Sequence, residues 1–334
     1  MARRSAIFGC AGPALLPPEA AFFRDADPFG FILFARNIET PDQLRALTSD
    51  LRAAVGWDAP ILIDQEGGRV ARMTAPHWRR FPPALDQADK VSPGDFARSF
   101  NLRGLLIADD LMSVGIDVNC TPLADIAEAA THPVLLNRLY GRSPAAVTEA
   151  ARALAEGQAD AGVSSVLKHL PGYGRASVDG HLDLPRVSVG RAELDAWDFA
   201  PFKALSDMPM GMTAHIVLDV IDKGQPATVS ATCMKVIRQD IGFDGLLMTD
   251  DISMEALSGS VTERAQASLI AGCDVVLHCN GDLAEMQALA AVCPVLTGPA
   301  ATRAETALAA RPKPAGIDIA ACEAEFNAMF KAQS

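Results

Sequence analysis

Residues 242–257 read GFDGLLMTDDISMEAL. An apolar run, 246–249, is bounded by glycine on one side and ends in two adjacent carboxylates, Asp250 and Asp251, on the other. A short run without polar alternation is the pattern of a strand buried on both faces, as in a parallel sheet. Successive strand residues point to opposite faces, so only one of the two carboxylates faces the opening at the strand end. From these residues alone two roles stand open: a catalytic carboxylate, or a cap on the helix that follows, which would suit Asp251 before Ile252.

The same arrangement recurs outward in both directions. Apolar runs lie at 6–10, 29–34, 61–64, 115–119, 164–168, 210–215, 246–250 and 274–278. Helix-like amphipathic stretches separate them at 41–55, 93–114, 143–161, 191–205, 231–241, 261–271 and 283–292. Such alternation predicts a parallel sheet with helices packed against it. Two architectures satisfy it, a doubly wound open sheet and a (β/α)8 barrel. The open sheet favours a Gly-rich phosphate turn after its first strand. Here that stretch is GCAGPALLPPEA (9–20), which lacks G-x-G-x-x-G and whose prolines are expected to interrupt a helix. Polar residues also collect at the C-terminal ends of the runs: Asp64, Asn119, Lys168, His215, Asp250 and His278. Barrel enzymes place their chemistry there. The expectation is an α/β protein, a (β/α)8 TIM-type barrel forming a single domain over 1–334, with helices from about 299 flanking it.

Composition narrows the partners. Hydrophobic residues make up 49% and aromatics 6% of 334 residues, so the core is built from aliphatic side chains. A net charge of −12 argues against nucleic acid or an anionic membrane, both of which need a basic face, and favours a small molecule. The seven cysteines are scattered, without a C-x-x-C pair, and are expected to be buried reduced thiols. No segment reaches the roughly 20 apolar residues of a membrane span. The apolar stretch in MARRSAIFGCAG is too short for a signal sequence, so a cytoplasmic location is expected.

Two further segments carry chemistry. In KHLPGYGRASVDGHLDLP (168–185), a loop rich in Gly and Pro presents Asp179 and His181. Two residues apart, they form either a hydrogen-bonded dyad suited to proton transfer or a loop turn with a surface histidine. In ILIDQEGGRVARM (61–73), Asp64 ends a strand and a Gly-Gly turn brings Glu66, Arg69 and Arg72 near it. Forked donors and acceptors of this kind suit paired hydroxyls, while at least one of Glu66 and Arg69 is expected in a structural ion pair. His215 and His278 are expected near a pocket, and His77 and His132 in solvent. No grouping has metal-ligand spacing, since Lys168–His169 with His181 does not make H-E-x-x-H. Neither a metal nor another cofactor is implied.

Taken together, DQEGGRVAR (64–72), NRLYG (137–141), KHLPGYG (168–174), DGHLDLP (179–185), MTAHI (212–216), GFDGLLMTDDISM (242–254) and AGCDVVLHCN (271–280) resemble the short, single-domain bacterial β-N-acetylglucosaminidases of glycoside hydrolase family 3. The resemblance runs from Phe29 to about Asn280. It implies a retaining hydrolase in which Asp250 is the nucleophile, His181 the acid and base, and Asp179 its partner. Asp64, Arg72, Arg138, Lys168 and His169 would hold a terminal N-acetylglucosamine. The implied substrate is a muropeptide, cleaved by a cytoplasmic monomer in cell-wall recycling. Two alternatives keep the same residues: a phosphorylase, in which phosphate intercepts the glycosyl-enzyme, and a sugar-binding barrel without activity. The chain departs from the family pattern at Leu139 and Arg142 beside Arg138, and at Tyr173, Arg175 and Gly180 in the loop.

Overall fold

The computed structural model describes residues 3–176 and 184–331. Eight parallel strands close into a barrel: β1 (Arg4–Gly9), β2 (Pro28–Leu33), β3 (Ile61–Ile63), β4 (Val118–Asn119), β5 (Ser164–Leu170), β6 (Met210–Thr213), β7 (Leu246–Asp251) and β8 (Val275–His278). Each pairs with its sequence neighbour, and β8 returns to β1 with Ala6 opposite Val276 and Phe8 opposite His278. The barrel expected from the eight apolar runs is the fold observed. A two-stranded sheet, Arg186–Val187 with Val217–Leu218, stands outside it.

The helices begin where local chemistry satisfies their free N–H groups. Thr40 accepts from Gln43 ahead of Pro41–Val55, Ser143 from Ala146 ahead of Pro144–Asp160, and Asp282 from Glu285 ahead of Leu283–Val292. Ser260 and Glu263 form a reciprocal capping box on Val261–Ala271. Three expectations need correction. The prolines after β1 start a helix, Pro17–Ala26, because a proline in the first turn has no N–H to lose. The stretch 191–205 is two short helices, Arg191–Ala196 and Ala200–Ala204, since the chain turns at Trp197 and Pro201 opens the second. Past Lys235 the helix expected over 231–241 widens into a π turn, Val236–Asp240.

Inside the barrel, Ile7, Phe29, Leu62, Val166, Met210 and Leu246 belong to one buried cluster. Each such side chain stabilises the fold by roughly 1.5–3 kcal/mol. Leu296, Ala304 and Ala307 join that cluster. They close its N-terminal end, where Leu296 N–H donates to the Arg3 carbonyl. The tail helices Gly298–Ala309 and Ile319–Lys331 therefore pack on the barrel, the second through buried Cys322 and Phe326. Outside the strands, helix Phe96–Met112 crosses Pro144–Asp160 backbone to backbone. A methyl at Gly104 would overlap the Leu154 carbonyl, and one at Gly157 the Asn101 carbonyl. All seven cysteines are free and buried, as expected. Among the described residues no helix is long and apolar enough to cross a membrane.

Candidate active site

The C-terminal ends of the strands surround a cavity of about 210 Å³. On one side, β3 runs out into Asp64, Gln65 and Glu66, and the next residues fold back. Gln65 drives the fold-back: its carbonyl oxygen accepts from the backbone of Arg72 (2.8 Å) and Met73 (3.1 Å), and its amide donates to the Met73 carbonyl (2.8 Å). Gly67 and Gly68 take positive φ of 87° and 59°, which a side chain would strain. The fold-back carries the Arg72 guanidinium to 3.3 Å from Asp64. Arg103, wholly buried, fastens the turn by donating from Nη2 to the Glu66 carbonyl at 2.6 Å, and burial brings its pKa down to about 10.

A buried ion network spreads from this turn. Lys168, from β5, donates to Asp64 at 2.8 Å and lies 2.7 Å from Glu66. Arg138 grips Glu66 with both arms of its fork, at 2.9 and 2.8 Å. Burial alone would raise both carboxyls. Arg138 and Lys168 outweigh it and hold Glu66 far below the usual carboxylate range. Lys168 and Arg72 keep Asp64 low in the same way. Burial would lower the Lys168 ammonium, but Asp64 and Glu66 push it above its ordinary value. The expected structural pair is thus made by Glu66, while Arg69 stays at the rim and donates to the Val134 carbonyl at 2.7 Å.

Across the cavity, β7 presents Asp250. Among the described residues, its carboxylate accepts one hydrogen bond, from the N–H of Asp251 at 2.8 Å. Asp251 also borders the cavity, but both its oxygens are engaged: it accepts from Ser253 N–H (3.1 Å), Ser253 hydroxyl (2.8 Å) and Cys279 N–H (3.2 Å). It therefore ties the end of β7 to that of β8 rather than capping a helix, since the next helix begins only at Val261. His215 is not a pocket residue. It is fully buried, sits 2.7 Å from the Thr228 hydroxyl and 3.0 Å from the Asp251 carbonyl, and burial lowers its pKa. His278 faces outward to Glu285 at 2.8 Å. The histidine expected in solvent, His132, lines the cavity instead.

The expected sugar-binding set, Asp64, Arg72, Arg138, Lys168 and His169, converges on this cavity together with Asp250. Asp179 and His181 lie outside the described residues. Sequence reading missed Asp125, whose carboxylate is 2.7 Å from His169 Nδ1, because nothing in its local pattern sets it apart. It also missed Phe34, over whose ring Arg72 packs at 5.2 Å. The departure at Arg142 does not reach the site, being an exposed pair with Asp89. Arg175 pairs with Asp198 (2.9 Å) and Glu193 (2.9 Å) at the foot of the loop. Among the described residues no group of three or more His, Cys, Asp and Glu side chains forms a metal cage.

Comparison with known proteins joins these observations. Residues 24–306 match the glycosyl hydrolase family 3 N-terminal domain. A β-hexosaminidase of Methylococcus capsulatus is 35% identical over 309 residues, covering 91% of both chains. One from Neisseria meningitidis serogroup C is 38% identical over 260 residues, 75% of this chain and 71% of its own. The solved structure of native NagZ from Neisseria gonorrhoeae superposes with a TM-score of 0.85 at 32% identity, covering 100% of this chain and 97% of that one. The same NagZ has been solved in complex with N-trifluoroacetyl-D-glucosamine. The chain belongs to glycosyl hydrolase family 3, and it is a glycoside hydrolase whose curated relatives are β-hexosaminidases.

Proposed function

We propose that the chain is a retaining exo-β-N-acetylglucosaminidase that removes terminal N-acetylglucosamine from muropeptides, with Asp250 as nucleophile and His181, partnered by Asp179, as acid and base. One observation carries the reading. Of the carboxylates around the mouth, Asp64 and Glu66 are held by cations, Asp125 by His169 and Asp251 by Ser253 and Cys279 N–H; among the described residues Asp250 alone takes a single peptide N–H. A nucleophile needs an uncommitted lone pair facing the reacting carbon.

In the first half-reaction an Asp250 oxygen bonds to the anomeric carbon, the glycosidic bond breaks, and the leaving oxygen takes the His181 proton. In the second, water gives its proton to His181 and its oxygen to the anomeric carbon, and Asp250 departs. Asp64, Arg72, Arg138, Lys168 and His169 offer charged donors and acceptors for the sugar's hydroxyls. Ile32, Met212 and Leu277 add an apolar part to the cavity wall. The packing of both tail helices on the barrel supports one catalytic unit over 1–334. The muropeptide aglycone, cytoplasmic setting and monomeric state in this reading come from the family resemblance.

The test compares aryl β-N-acetylglucosaminide with aryl β-glucoside for wild type, Asp250→Asn and His181→Ala. Preference for the first substrate and loss of turnover in both variants are expected. Equal rates on the two sugars would sink the substrate claim, and full activity in either variant would sink its assigned role. Glycosyl phosphate as the main product in phosphate buffer would replace hydrolysis by phosphorolysis.

A further inference from the structure

Asp125 lies in the segment that follows β4, outside the lining of the cavity, and its side chain is fully buried. Its two oxygens divide their work. Oδ1 accepts the N–H of Tyr173 at 2.6 Å. Oδ2 accepts the N–H of His169 at 3.3 Å and faces the Nδ1 of the same residue at 2.7 Å. Tyr173 and His169 both line the cavity, with ring centroids 5.5 Å apart. One buried carboxylate therefore grips two neighbouring parts of the pocket wall.

We propose that Asp125 is a positioning residue that fixes the proton of His169 on Nδ1, so that Nε2 meets the sugar as a hydrogen-bond acceptor. An ionised carboxylate only accepts hydrogen bonds, so in the 2.7 Å contact with Oδ2 the ring Nδ1 of His169 is the donor. A neutral imidazole carries one proton, and placing it on Nδ1 leaves a lone pair on Nε2. Nε2 makes no bond to any described residue, while the ring lines the cavity. Arg72, Arg138 and Lys168 supply only donors on their side of the pocket. An acceptor on His169 complements them, since a sugar hydroxyl both gives and takes a hydrogen bond. Tyr173 is carried along: its backbone is held by the other oxygen of the same carboxylate, which keeps its ring against the imidazole it helps to orient.

The inference rests on the reading that His169 contacts the sugar, and its primary test needs no substrate. Long-range ¹⁵N–¹H correlation spectra of the full chain, with His169 assigned by loss of its signals in His169→Gln, report which ring nitrogen is protonated. The wild type should show a protonated Nδ1 and a pyridine-like Nε2. Finding the neutral ring protonated on Nε2 overturns the proposal without any variant of Asp125. Asp125→Asn keeps an oxygen for Tyr173 N–H but offers an NH₂ to the imidazole, so the tautomer should reverse. KM for the aryl β-N-acetylglucosaminide should then rise roughly 10- to 100-fold, the range for a lost or reversed hydrogen bond to a buried polar group, with a smaller change in kcat. In a His169→Ala background the same substitution should change KM less than threefold. An equal loss in both backgrounds, or a reversed tautomer with unchanged KM, refutes action through His169. If the wild type does not turn over the substrate at all, the proposed function fails while the tautomer result stands on its own.

Discussion

Replacing Glu66 by Gln takes one negative charge out of a buried network while nearly preserving its shape. Wild-type Glu66 receives three close contacts, two from the Arg138 fork at 2.9 and 2.8 Å and one from Lys168 at 2.7 Å. Lys168 would keep Asp64 at 2.8 Å, but Arg138 has no other carboxylate bonded to it among the described residues and lies largely out of solvent. Breaking one side of such a buried arrangement costs about 3–5 kcal/mol. Because Lys168 stays paired and the Gln oxygen still accepts a bond, the low end is expected, about 3 kcal/mol. At roughly 2 °C per kcal/mol for a large domain, the midpoint of thermal unfolding should fall by roughly 6 °C. The pH dependence gives a second handle. Glu66 is depressed in the folded state, so its contribution is present above the unfolded carboxyl value near ~4.3 and is lost as pH falls towards its folded value. Lys168 is raised, so its contribution is present below ~10.4 and fades only above that. The gap between wild type and variant should be flat from about pH 5.5 to 9 and shrink below about pH 4.5. Differential scanning calorimetry across that range is the assay. A midpoint within 1 °C of wild type at pH 7, or a gap that widens in acid, would refute the argument that Glu66 is the anionic keystone of the site.

Three further outcomes test other parts of the structure. Gly157→Ala puts a methyl into the Asn101 carbonyl and should cost at least ~2 kcal/mol by forcing two helices apart, measured by urea unfolding; a neutral effect would mean the helices are not in backbone contact. Arg264 donates to the carbonyls of Ile252, Ser253 and Met254 at 3.2, 3.2 and 3.0 Å, immediately after Asp250 and Asp251, so Arg264→Ala should lower kcat by roughly tenfold through a looser turn, and unchanged steady-state kinetics would remove it from that role. The Asp110 carboxyl is pushed up to about 6, burial outweighing Arg79, so the folded state holds a proton that the unfolded chain has released; this group's contribution to stability should fall as pH rises from about 4 to 6, so the urea midpoint of Asp110→Asn should gain on that of the wild type over that range, and a constant difference would refute it.

The barrel was legible because a strand buried on both faces leaves an apolar run that no amphipathic helix imitates, and each of the eight runs became a strand. Helix limits were readable where side-chain caps mark them: the expected 41–55, 261–271 and 283–292 are Pro41–Val55, Val261–Ala271 and Leu283–Val292. Where tertiary contacts decide, the reading failed. The break in 191–205 falls at Trp197 to Phe199, and Asp198 there is drawn to Arg175, 23 residues earlier. Helical periodicity over 191–205 carries no sign of that pairing.

The site divides along the same line. That acids gather at the strand ends was visible in order along the chain, but which acid remains free is settled by partners far away. Lys168 and Asp64 are 104 residues apart, Arg138 and Glu66 are 72, and His169 and Asp125 are 44. Asp250 and Asp251 are adjacent and chemically identical, so composition gives no means of separating them. Strand alternation supplies half the answer by sending them to opposite faces. Both border the cavity, and the rest comes from their partners: peptide and hydroxyl donors of Ser253 and Cys279 engage Asp251, while Asp250 takes one peptide N–H among the described residues. A carboxylate engaged on both oxygens by its own protein has little left to offer a ligand. The adjacent one takes a single peptide N–H among the described residues, which is why it is the one proposed as nucleophile.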